Sequence, residues 1–410
     1  MPVAFEVWYQ GCTYDLASMA RLIAPPAYAT ADVWGSSAAA AVADIAAAVP
    51  PRSNLWAHFA DAAAIAGVAV EMVVPRLWRR VPRMAGDGVQ PKWFASEATL
   101  TSAPLHLVRV PGGTLLQLGH APLALAGDQR SVLRDCSSRY APLLRHVDTD
   151  YAPVVAAARH VAGTVLALGD DIWPANVSHF LLDTIPRLGV LDWWRDGGPL
   201  SVALPPLGAP WQRAALHAAG ITDEQIIEIG PSQAIRADML LLTDDRRSPP
   251  HPAFTAAPWA LRFLRRTLGH GAVAEHGGAP AAGGIYVTRR DSAGRRVVNE
   301  DALLAALAPH GFAAVTLSDL PLSGQIAAFA GAAAIVAPHG AGLAHLAFAA
   351  PGTRVVELFP LSHGTPAFAM IAAALGLRYR ALLCADLIPA ERPEFCDMRV
   401  DPAVVLAALD

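Results

Sequence analysis

The amino-acid sequence predicts an α/β fold in two halves, joined by a linker and facing each other across a cleft. Short apolar runs alternate with helical segments from residue 164 onward, which is typical of α/β proteins. The polar, proline-rich stretch DDRRSPPHP over 244–252 interrupts this alternation and is typical of a linker. The chain has 410 residues, more than one hydrophobic core usually holds, so we expect two domains.

The pattern divides the chain into four parts. We expect a first α/β domain over 1–245, a linker over 246–258, a second α/β domain over 259–390 and a tail helix within 391–410. Residues 269–284 are rich in glycine and alanine and are predicted to form a mobile loop. The predicted strands are 164–168, 201–204, 226–229, 285–288, 313–316, 332–337 and 353–358, with a hairpin over 114–125; the predicted helices are 38–49, 176–191, 211–219, 259–268, 299–307, 325–329, 343–348 and 402–409.

The composition argues against several classes of protein. A net charge of −4 argues against general binding to nucleic acid or to a membrane surface, since both need a basic face. The four cysteines lie far apart with no CxxC pair, which argues against a zinc site or a disulfide framework. The first ten residues, MPVAFEVWYQ, lack the basic and apolar regions of a signal peptide, so we expect a cytoplasmic protein.

The most informative stretch is IVAPHGAGLAHLAFAAPGTRVVELFP over residues 335–360. Residues 326–352 lack acidic and basic residues, but prolines and glycines divide them into pieces shorter than the roughly 20 residues of a membrane span. We therefore interpret the stretch as a strand, a tight turn, a short helix and a second strand, which together form a βαβ unit.

The turn and the second strand of this unit carry the polar residues. Glycines in the turn His339-Gly340-Ala341-Gly342 let a ligand approach the backbone, but the place of the third glycine of a dinucleotide-binding motif is taken by His345. Glu357 ends the second strand, at the sheet edge where α/β proteins bind ligands. A buried carboxylate needs a partner, either inside the protein or on a ligand such as a ribose hydroxyl.

Four arginines follow the strand predicted over 285–288, in the run YVTRRDSAGRR over residues 286–296. Arginine holds phosphate through two parallel hydrogen bonds, so Arg289, Arg290 and Arg295 are candidates for a phosphate site. The alternative for any single arginine is a solvated basic loop.

The third candidate is the segment NVSHFLLDTIPR over residues 176–187. His179 and Asp183 are four residues apart and therefore share one face of a helix, which either Asn176 or Ser178 is expected to cap. The pair suits a general base, half of a metal site, or an internal hydrogen bond that fixes the helix. No HExxH motif or carboxylate cluster supplies further metal ligands.

These three motifs, taken in order, resemble glycosyltransferase family 61, whose bacterial members are often labelled capsular polysaccharide biosynthesis proteins. The motifs are N-x-x-H-F-L-L-D-T-I-P-R-L, Y-V-T-R-R with R-R-V-V-N-E, and A-P-H-G-A-G-L through V-V-E-L-F-P. The resemblance covers about residues 164–360. It departs from the family at Val177-Ser178, where an aromatic is usual, and at Ala344-His345, where asparagine is frequent.

The resemblance implies a GT-B fold, in which two Rossmann-like domains face a cleft, and inverting transfer of a sugar from a nucleotide-sugar donor without a metal or other cofactor. The first domain would face a glycan or other hydroxyl acceptor. The implied setting is surface polysaccharide synthesis, with a cytoplasmic protein at the periphery of the inner membrane, beside membrane-bound machinery but with no transmembrane segment of its own.

The resemblance also implies a role for each residue. The donor diphosphate would be held by Arg289, Arg290, Arg295, His339, Gly340, Ala341 and Gly342, and the ribose by Glu357. Asn299 and Glu300 would fix the helix after the arginines, and Asn176 would support the first motif. Asp183 is the expected general base, with His179 orienting it or acting in its place.

Two other functions remain open on the sequence. A dinucleotide-dependent oxidoreductase would explain the βαβ turn but not the arginines or the absent third glycine. A non-catalytic protein that binds nucleotide sugars or glycans would explain every motif, but it would show no turnover.

Overall fold

The structure is a computed structural model of the chain. It describes residues 7–9, 12–14, 56–57, 67–74, 77–80, 99–102, 105–118, 121–133, 136–137, 152–169, 176–194, 198–243, 257–276, 283–386 and 395–410. Three predicted features lie wholly or mostly outside these residues, namely the helix over 38–49, the linker over 246–258 and the middle of the loop over 269–284.

The strands of the first half form one large mixed sheet and two small strand pairs, β1–β2 and β5–β6. They are β1 (Val7–Tyr9), β2 (Cys12–Tyr14), β3 (Trp56–Ala57), β4 (Ala69–Val74), β5 (Leu77–Arg80), β6 (Thr99–Ser102), β7 (Leu105–Pro111), β8 (Thr114–Leu118), β9 (Ala121–Leu125), β10 (Val132–Leu133), β11 (Arg159–Ala167), β12 (Leu200–Leu204), β13 (Ile226–Glu228) and β14 (Gln233–Thr243). Four strands of the large sheet are parallel, in the order β13-β12-β11-β14. The antiparallel strands β7 and β8 pair with β14, and β8 with β9 forms the hairpin predicted over 114–125.

The second half contains a six-stranded sheet in the order β16-β15-β17-β18-β19-β20. Its strands are β15 (Gly284–Val287), β16 (Phe312–Val315), β17 (Ala334–Pro338), β18 (Arg354–Pro360), β19 (Arg378–Asp386) and β20 (Met398–Arg399). The first five strands in this order are parallel, and β20 is antiparallel to β19. All five residues of β17 are buried, as expected for a parallel strand covered on both faces.

Helical segments connect most of these strands, and prolines and glycines set several of their ends. Pro210, Pro258 and Pro402 stand in the first turn of their helices, where a missing N–H costs nothing. The α-helices are Ala152–Ala156, Val177–His179, Pro210–Ala218, Pro258–Leu264, His270–Glu275, Glu300–Leu307, Leu322–Gly331, Ala367–Leu375 and Pro402–Leu409; the π-helices are Phe180–Thr184 and Arg265–Gly269; the 3₁₀ helices are Ile185–Trp193, Asp223–Gln225, Ala308–His310, Leu317–Asp319 and Ala341–Phe348.

The largest hydrophobic cluster joins the two sheets. It takes Leu166 from β11 and Ile335 from β17, together with side chains of the helical segments 177–193, 258–275 and 341–348. The neighbouring strand residues Val165 and Val336 point the other way, into separate clusters on the outer faces of the two sheets. The period-two alternation of the strands therefore places a helical layer between the sheets.

The α/β class predicted from the sequence is confirmed, whereas the mobile loop predicted over 269–284 is wrong within the described residues. Residues 270–275 form a helix rather than a mobile loop, and Gly284 begins β15. The helical segment runs through Gly269, where an added Cβ would lie only 3.3 Å from the Phe348 ring, so the glycine permits close packing. The tail over 391–410 contains strand β20 in addition to the predicted helix. The domain limits stay a prediction.

Candidate functional site

The order of strands in the second sheet identifies the edge at which a ligand is expected. The chain order of its parallel strands reverses between β15 and β17, which is the topological switch point of an open α/β sheet. Such sheets bind ligands in the crevice at the carboxyl ends of the strands beside the switch point. Arg289 follows β15, and His339 and Gly340 follow β17, so both predicted donor motifs lie at this edge.

Arg289 and Gly340 are in direct contact at the switch point. A Cβ added to Gly340 would lie 2.0 Å from Nη1 of Arg289, so a side chain at this position would displace the guanidinium. The Nε and Nη2 groups of Arg289 donate to the Gly294 carbonyl at 3.2 and 3.0 Å. Burial lowers the pKa of Arg289, but an arginine stays charged at any physiological pH. The glycine therefore makes room for a fixed cation, whereas the sequence suggested that it makes room for the ligand.

The other arginines of the loop are bound to different partners. Arg295 has a positive φ of 57° and donates from Nε to the His339 carbonyl at 2.8 Å, so it joins the arginine loop to the turn after β17. Arg290 is ion-paired with Glu300 and Asp301 on the following helix. Of the three arginines predicted to hold phosphate, the structure brings Arg289 and Arg295 to the switch point and ties Arg290 to the helix.

Two residues predicted as structural support hold the arginine loop in place. Glu300 is buried and accepts from the Thr288 hydroxyl at 2.7 Å as well as from Arg290. Asn299 donates to the Val400 carbonyl at 2.7 Å and accepts from its N–H at 3.1 Å. Glu300 thus fixes the loop to its helix, and Asn299 fixes it to a segment 101 residues further along the chain.

That segment, residues 395–400, lies along the arginine loop. The Phe395 carbonyl accepts from the N–H of Arg295, and Asp397 forms an ion pair with Arg296 at 2.7 Å. A Cβ on Gly294 would lie 2.4 Å from the Phe395 carbonyl, which explains the glycine at this point. Residues 395–400 therefore form one wall of the loop, a feature that the sequence did not indicate.

Glu357 lies inside the sheet between His339 and Tyr379. Its Oε1 is 2.5 Å from Nδ1 of His339, and its Oε2 accepts from the Tyr379 hydroxyl at 2.5 Å. The carboxyl group is fully buried, and burial raises the pKa of Glu357 to about 8, against the opposing effects of Tyr379 and the Arg295 charge. Burial, together with the charges of Arg295, His363 and Arg289, lowers the pKa of His339.

The role of Glu357 must accordingly be reconsidered. The sequence left open an internal partner or a ribose hydroxyl, and the structure has internal partners, a histidine and a tyrosine rather than an arginine. Each oxygen has an internal partner and the side chain is fully buried, so contact with a ribose would require this part of the structure to open. Tyr379 had no signal in the sequence, because it lies 22 residues from Glu357 on a strand that was not predicted.

His345, at the place of the absent third glycine, belongs to the hydrophobic core. Its ring is fully buried near those of Phe329 and Phe348, and Nδ1 lies 2.9 Å from the Gly342 carbonyl. Burial lowers the pKa of His345 to about 4, so the ring is neutral at physiological pH. This position therefore serves packing and does not face a ligand.

In the large mixed sheet of the first half, the chain order of the parallel strands reverses between β11 and β14. The His179–Asp183 pair lies near this switch point. The Asn176 side chain accepts from the N–H of Ser178 at 2.9 Å and so begins the helix after β11. Nδ1 of His179 is 2.8 Å from Oδ2 of Asp183; the side chains are 14% and 3% exposed, respectively. The histidine is therefore the more accessible member of the pair.

Arg187 anchors this pair to β14. It donates from Nε to the Asp183 carbonyl at 3.0 Å and from Nη1 to the hydroxyl of Thr243, the last residue of β14, at 2.9 Å. No role was predicted for Arg187, although its spacing of four residues after Asp183 could have indicated one. A π-helical turn, Phe180–Thr184, encloses Asp183 just before Pro186, and such turns are frequent at functional sites.

The two candidate regions meet through the helical layer. The short helix Val177–His179 packs against the 3₁₀ helix Ala341–Phe348, and Phe180 and Leu343 belong to the same hydrophobic cluster. The structure thus brings the segment of His179 and the turn at His339 together, although they are about 160 residues apart in the chain.

The described part of the chain contains neither a metal-binding cluster nor a helix that could span a membrane. Within it, no three side chains of His, Cys, Asp or Glu converge as a metal-binding group. None of the helices described is both long enough and apolar enough to span a bilayer.

Comparisons with known proteins agree with the motifs. Residues 177–356 match the family profile described as Glycosyltransferase 61. A Beta-1,2-xylosyltransferase of Arabidopsis thaliana is 34% identical over 70 residues. This segment is 17% of the present chain and 13% of the plant protein, so the chain spans only a small part of that relative. Both findings support similarity to glycosyltransferases of family 61.

Proposed function

We propose that this protein is a metal-independent, inverting glycosyltransferase that moves a sugar from a nucleotide-sugar donor to a hydroxyl acceptor. The observation that carries the proposal is the contact of Arg289 with Gly340 at the switch point of the second sheet, beside His339. A fixed cation at this edge of an α/β sheet suits the diphosphate of such a donor.

In this proposal, Arg289 and Arg295 supply most of the donor affinity. A charge-assisted hydrogen bond is worth about 1.5–3 kcal/mol, whereas a helix N-terminus adds about 0.3–1 kcal/mol. The arginines should therefore outweigh the backbone N–H groups of Ala341 and Gly342. Both guanidinium groups also stabilise the diphosphate as it leaves, the role that a cation fills in metal-dependent enzymes.

We assign the general base to Nε2 of His179. The accessible histidine meets the acceptor, and buried Asp183 accepts from Nδ1–H, which fixes the tautomer with a lone pair on Nε2. The acceptor oxygen attacks the anomeric carbon and forms the new C–O bond while its proton passes to Nε2. The bond from the anomeric carbon to the phosphate oxygen breaks, and the diphosphate leaves with the electron pair. This assignment reverses the roles expected from the sequence.

We further propose a GT-B arrangement, since each candidate region lies at a switch point of its own sheet. A saccharide acceptor, a surface-polysaccharide role, a cytoplasmic location and association with membrane-bound machinery are proposals drawn from the sequence resemblance alone.

A thermal-shift panel of UDP, GDP, ADP, CDP and NADH, with and without Mg²⁺, tests donor binding. A ligand at about 100 times its dissociation constant stabilises the fold by about 2.7 kcal/mol. We expect at least one nucleoside diphosphate to raise the melting temperature without Mg²⁺, and Arg289→Ala to abolish the shift. Arg266→Ala is the control, because this exposed arginine pairs with Asp192 and belongs neither to the arginine loop nor to the turn after β17.

The same panel separates the alternatives. A shift with NADH and none with any diphosphate would contradict the transferase and favour an oxidoreductase. A shift with a diphosphate, but neither transfer nor slow hydrolysis of the matching nucleotide sugars, would favour a non-catalytic binding protein.

A further inference from the structure

We infer that Tyr379 and Glu357 position His339 so that its Nε2–H donates a hydrogen bond to the diphosphate of the donor. This inference rests on the proposed function and adds two positioning residues to it. Tyr379 and Glu357 touch no substrate and act through the imidazole ring.

The three side chains form a continuous series of hydrogen bonds. The Tyr379 hydroxyl donates to Oε2 of Glu357 at 2.5 Å, and Oε1 lies 2.5 Å from Nδ1 of His339. The ring stacks on Phe359 with 4.7 Å between centroids, which fixes its plane. Since Glu357 occupies Nδ1, Nε2 on the far edge of the ring is the nitrogen available to a ligand.

The number of protons on the Glu357–His339 pair decides whether Nε2 of His339 carries a hydrogen or a lone pair. Burial raises the pKa of Glu357 to about 8, so at neutral pH the carboxyl group carries a proton. That proton is donated to Nδ1, and the neutral ring then carries its own hydrogen on Nε2. Burial and the Glu357 carboxylate raise the pKa of Tyr379, which therefore keeps its hydroxyl proton as well.

The surroundings favour a neutral ring as the donor. The charged and titratable groups that face the pair are Arg289 and Arg295 of the arginine loop, His363 after β18 and Tyr379 of β19. Two arginines beside the ring oppose an imidazolium there, and the pKa of His339 is lowered accordingly. A neutral N–H adds a third donor for the diphosphate without adding a third positive charge.

The same arrangement fails in alkaline solution. When the pair loses one proton, Nδ1–H donates to the carboxylate and Nε2 is left with a lone pair. A lone pair repels phosphate oxygens, so diphosphate affinity should fall as the pH rises through about 8.

Calorimetric titration with UDP and GDP, and with uridine and guanosine, between about pH 6.5 and about pH 9 tests the inference. Wild-type affinity for the diphosphate that binds should fall across this range by about tenfold, the value of one such hydrogen bond. Glu357→Gln mimics the protonated acid, since its amide N–H donates to Nδ1 and its oxygen accepts from Tyr379. It should keep the neutral-pH affinity and remove the fall.

Two further variants complete the test. Tyr379→Phe removes a bond that stabilises the carboxylate, so it should move the midpoint of the fall to higher pH. The control for the loss of a buried tyrosine hydroxyl is Tyr286→Phe, because this hydroxyl lies near Glu300 and has no part in the series from Tyr379 to His339. It should keep the pH profile of the wild type. Both changes keep the aromatic ring, so they remain informative if Glu357→Gln does not fold.

The outcomes are distinct. An unchanged alkaline fall in Glu357→Gln, or a Tyr379→Phe profile identical to wild type, would overturn the inference while leaving the transferase intact. An equal loss of nucleoside and diphosphate affinity in Glu357→Gln would also overturn it and favour a direct ribose contact. If no diphosphate binds wild type at any pH, the proposed function fails first, and the inference fails with it.

Discussion

Two regions of the molecule hold a carboxylate against Nδ1 of a histidine, and they differ in how deeply the pair is buried. Asp183 and His179 lie on one helix at 2.8 Å, and the histidine side chain is 14% exposed. Glu357 lies on β18 and His339 directly follows β17; their side chains are 2.5 Å apart and 0% and 5% exposed, and Tyr379 is a second partner of Glu357.

This difference shows that the setting of such a pair, and not its composition, decides which way the proton moves. A partly exposed ring whose Nδ1–H is held by a carboxylate presents Nε2 and can accept a proton there. A ring beside a buried, protonated acid presents an N–H and can only donate a hydrogen bond. Each half of the molecule therefore suits one side of the proposed reaction, the acceptor in the first case and the donor in the second.

The largest effect is expected at the more exposed pair, His179 and Asp183. His179→Ala should lower kcat by about 10²–10⁴-fold, the usual contribution of a general base, and leave diphosphate affinity unchanged. Transfer assays and calorimetry measure the two quantities. Full turnover in His179→Ala together with its loss in Asp183→Asn would restore Asp183 as the base and remove the distinction between the pairs.

A smaller effect is expected beside the fully buried pair, Glu357 and His339. Gly340→Ala places a Cβ where Nη1 of Arg289 lies, so the cation must move and diphosphate affinity should fall by about 10–150-fold, or 1.5–3 kcal/mol. Gly271→Ala is a matched control on an exposed helix with open space around it. Equal affinities of the two variants would contradict the role of Arg289.

Glu357→Leu tests the contribution of the buried Glu357–His339 pair to the free energy of unfolding. It leaves Nδ1 of His339 without its partner inside the core, which should cost about 1–3 kcal/mol of unfolding free energy. Urea denaturation measures this loss. Glu357→Gln keeps both hydrogen bonds and should lose much less; a larger loss for glutamine than for leucine would contradict the hydrogen-bonded arrangement.

The smallest effect is a slope of stability with pH. The pKa of Glu357 rises from 4.5 to about 8 on folding, so between these values the folded chain keeps a proton that the unfolded chain has lost, and stability falls as pH rises. The pKa of His345 falls from 6.5 to about 4, which gives the opposite slope between those values.

The two effects oppose each other from about pH 4.5 to about 6.5, which leaves the decline due to Glu357 from about 6.5 to about 8, at most about 1.4 kcal/mol per pH unit. Denaturation at several pH values should show the decline in wild type and a flat profile in Glu357→Gln. A decline of the same slope in that variant would assign it to another group.

The sequence predicted best where structure is local. Strand β17, the turn at Gly340 and strand β18 were located to within about two residues, because proline and glycine punctuate buried runs. The His179–Asp183 pair was found because four residues make one helical turn. Strands β14 and β19 were missed, because their ends are partly exposed and their apolar residues do not alternate cleanly.

The partners of the site residues could not be predicted, because they lie far away in the sequence. Tyr379, Thr243 and Val400 contact Glu357, Arg187 and Asn299, respectively, across 22, 56 and 101 residues. No local period links residues so far apart, so only the folded sheets show these contacts.

The contact of residues 395–400 with the arginine loop also sets an order of events during synthesis. Val400 is synthesised 101 residues after Asn299, which at about 5–20 residues per second takes roughly 5–20 s. Until then the arginine loop on the nascent chain lacks one of its walls, even though β15 and β17 have already been made. The arginine loop can therefore take its final form only after β20, the last strand of the same sheet, has been made.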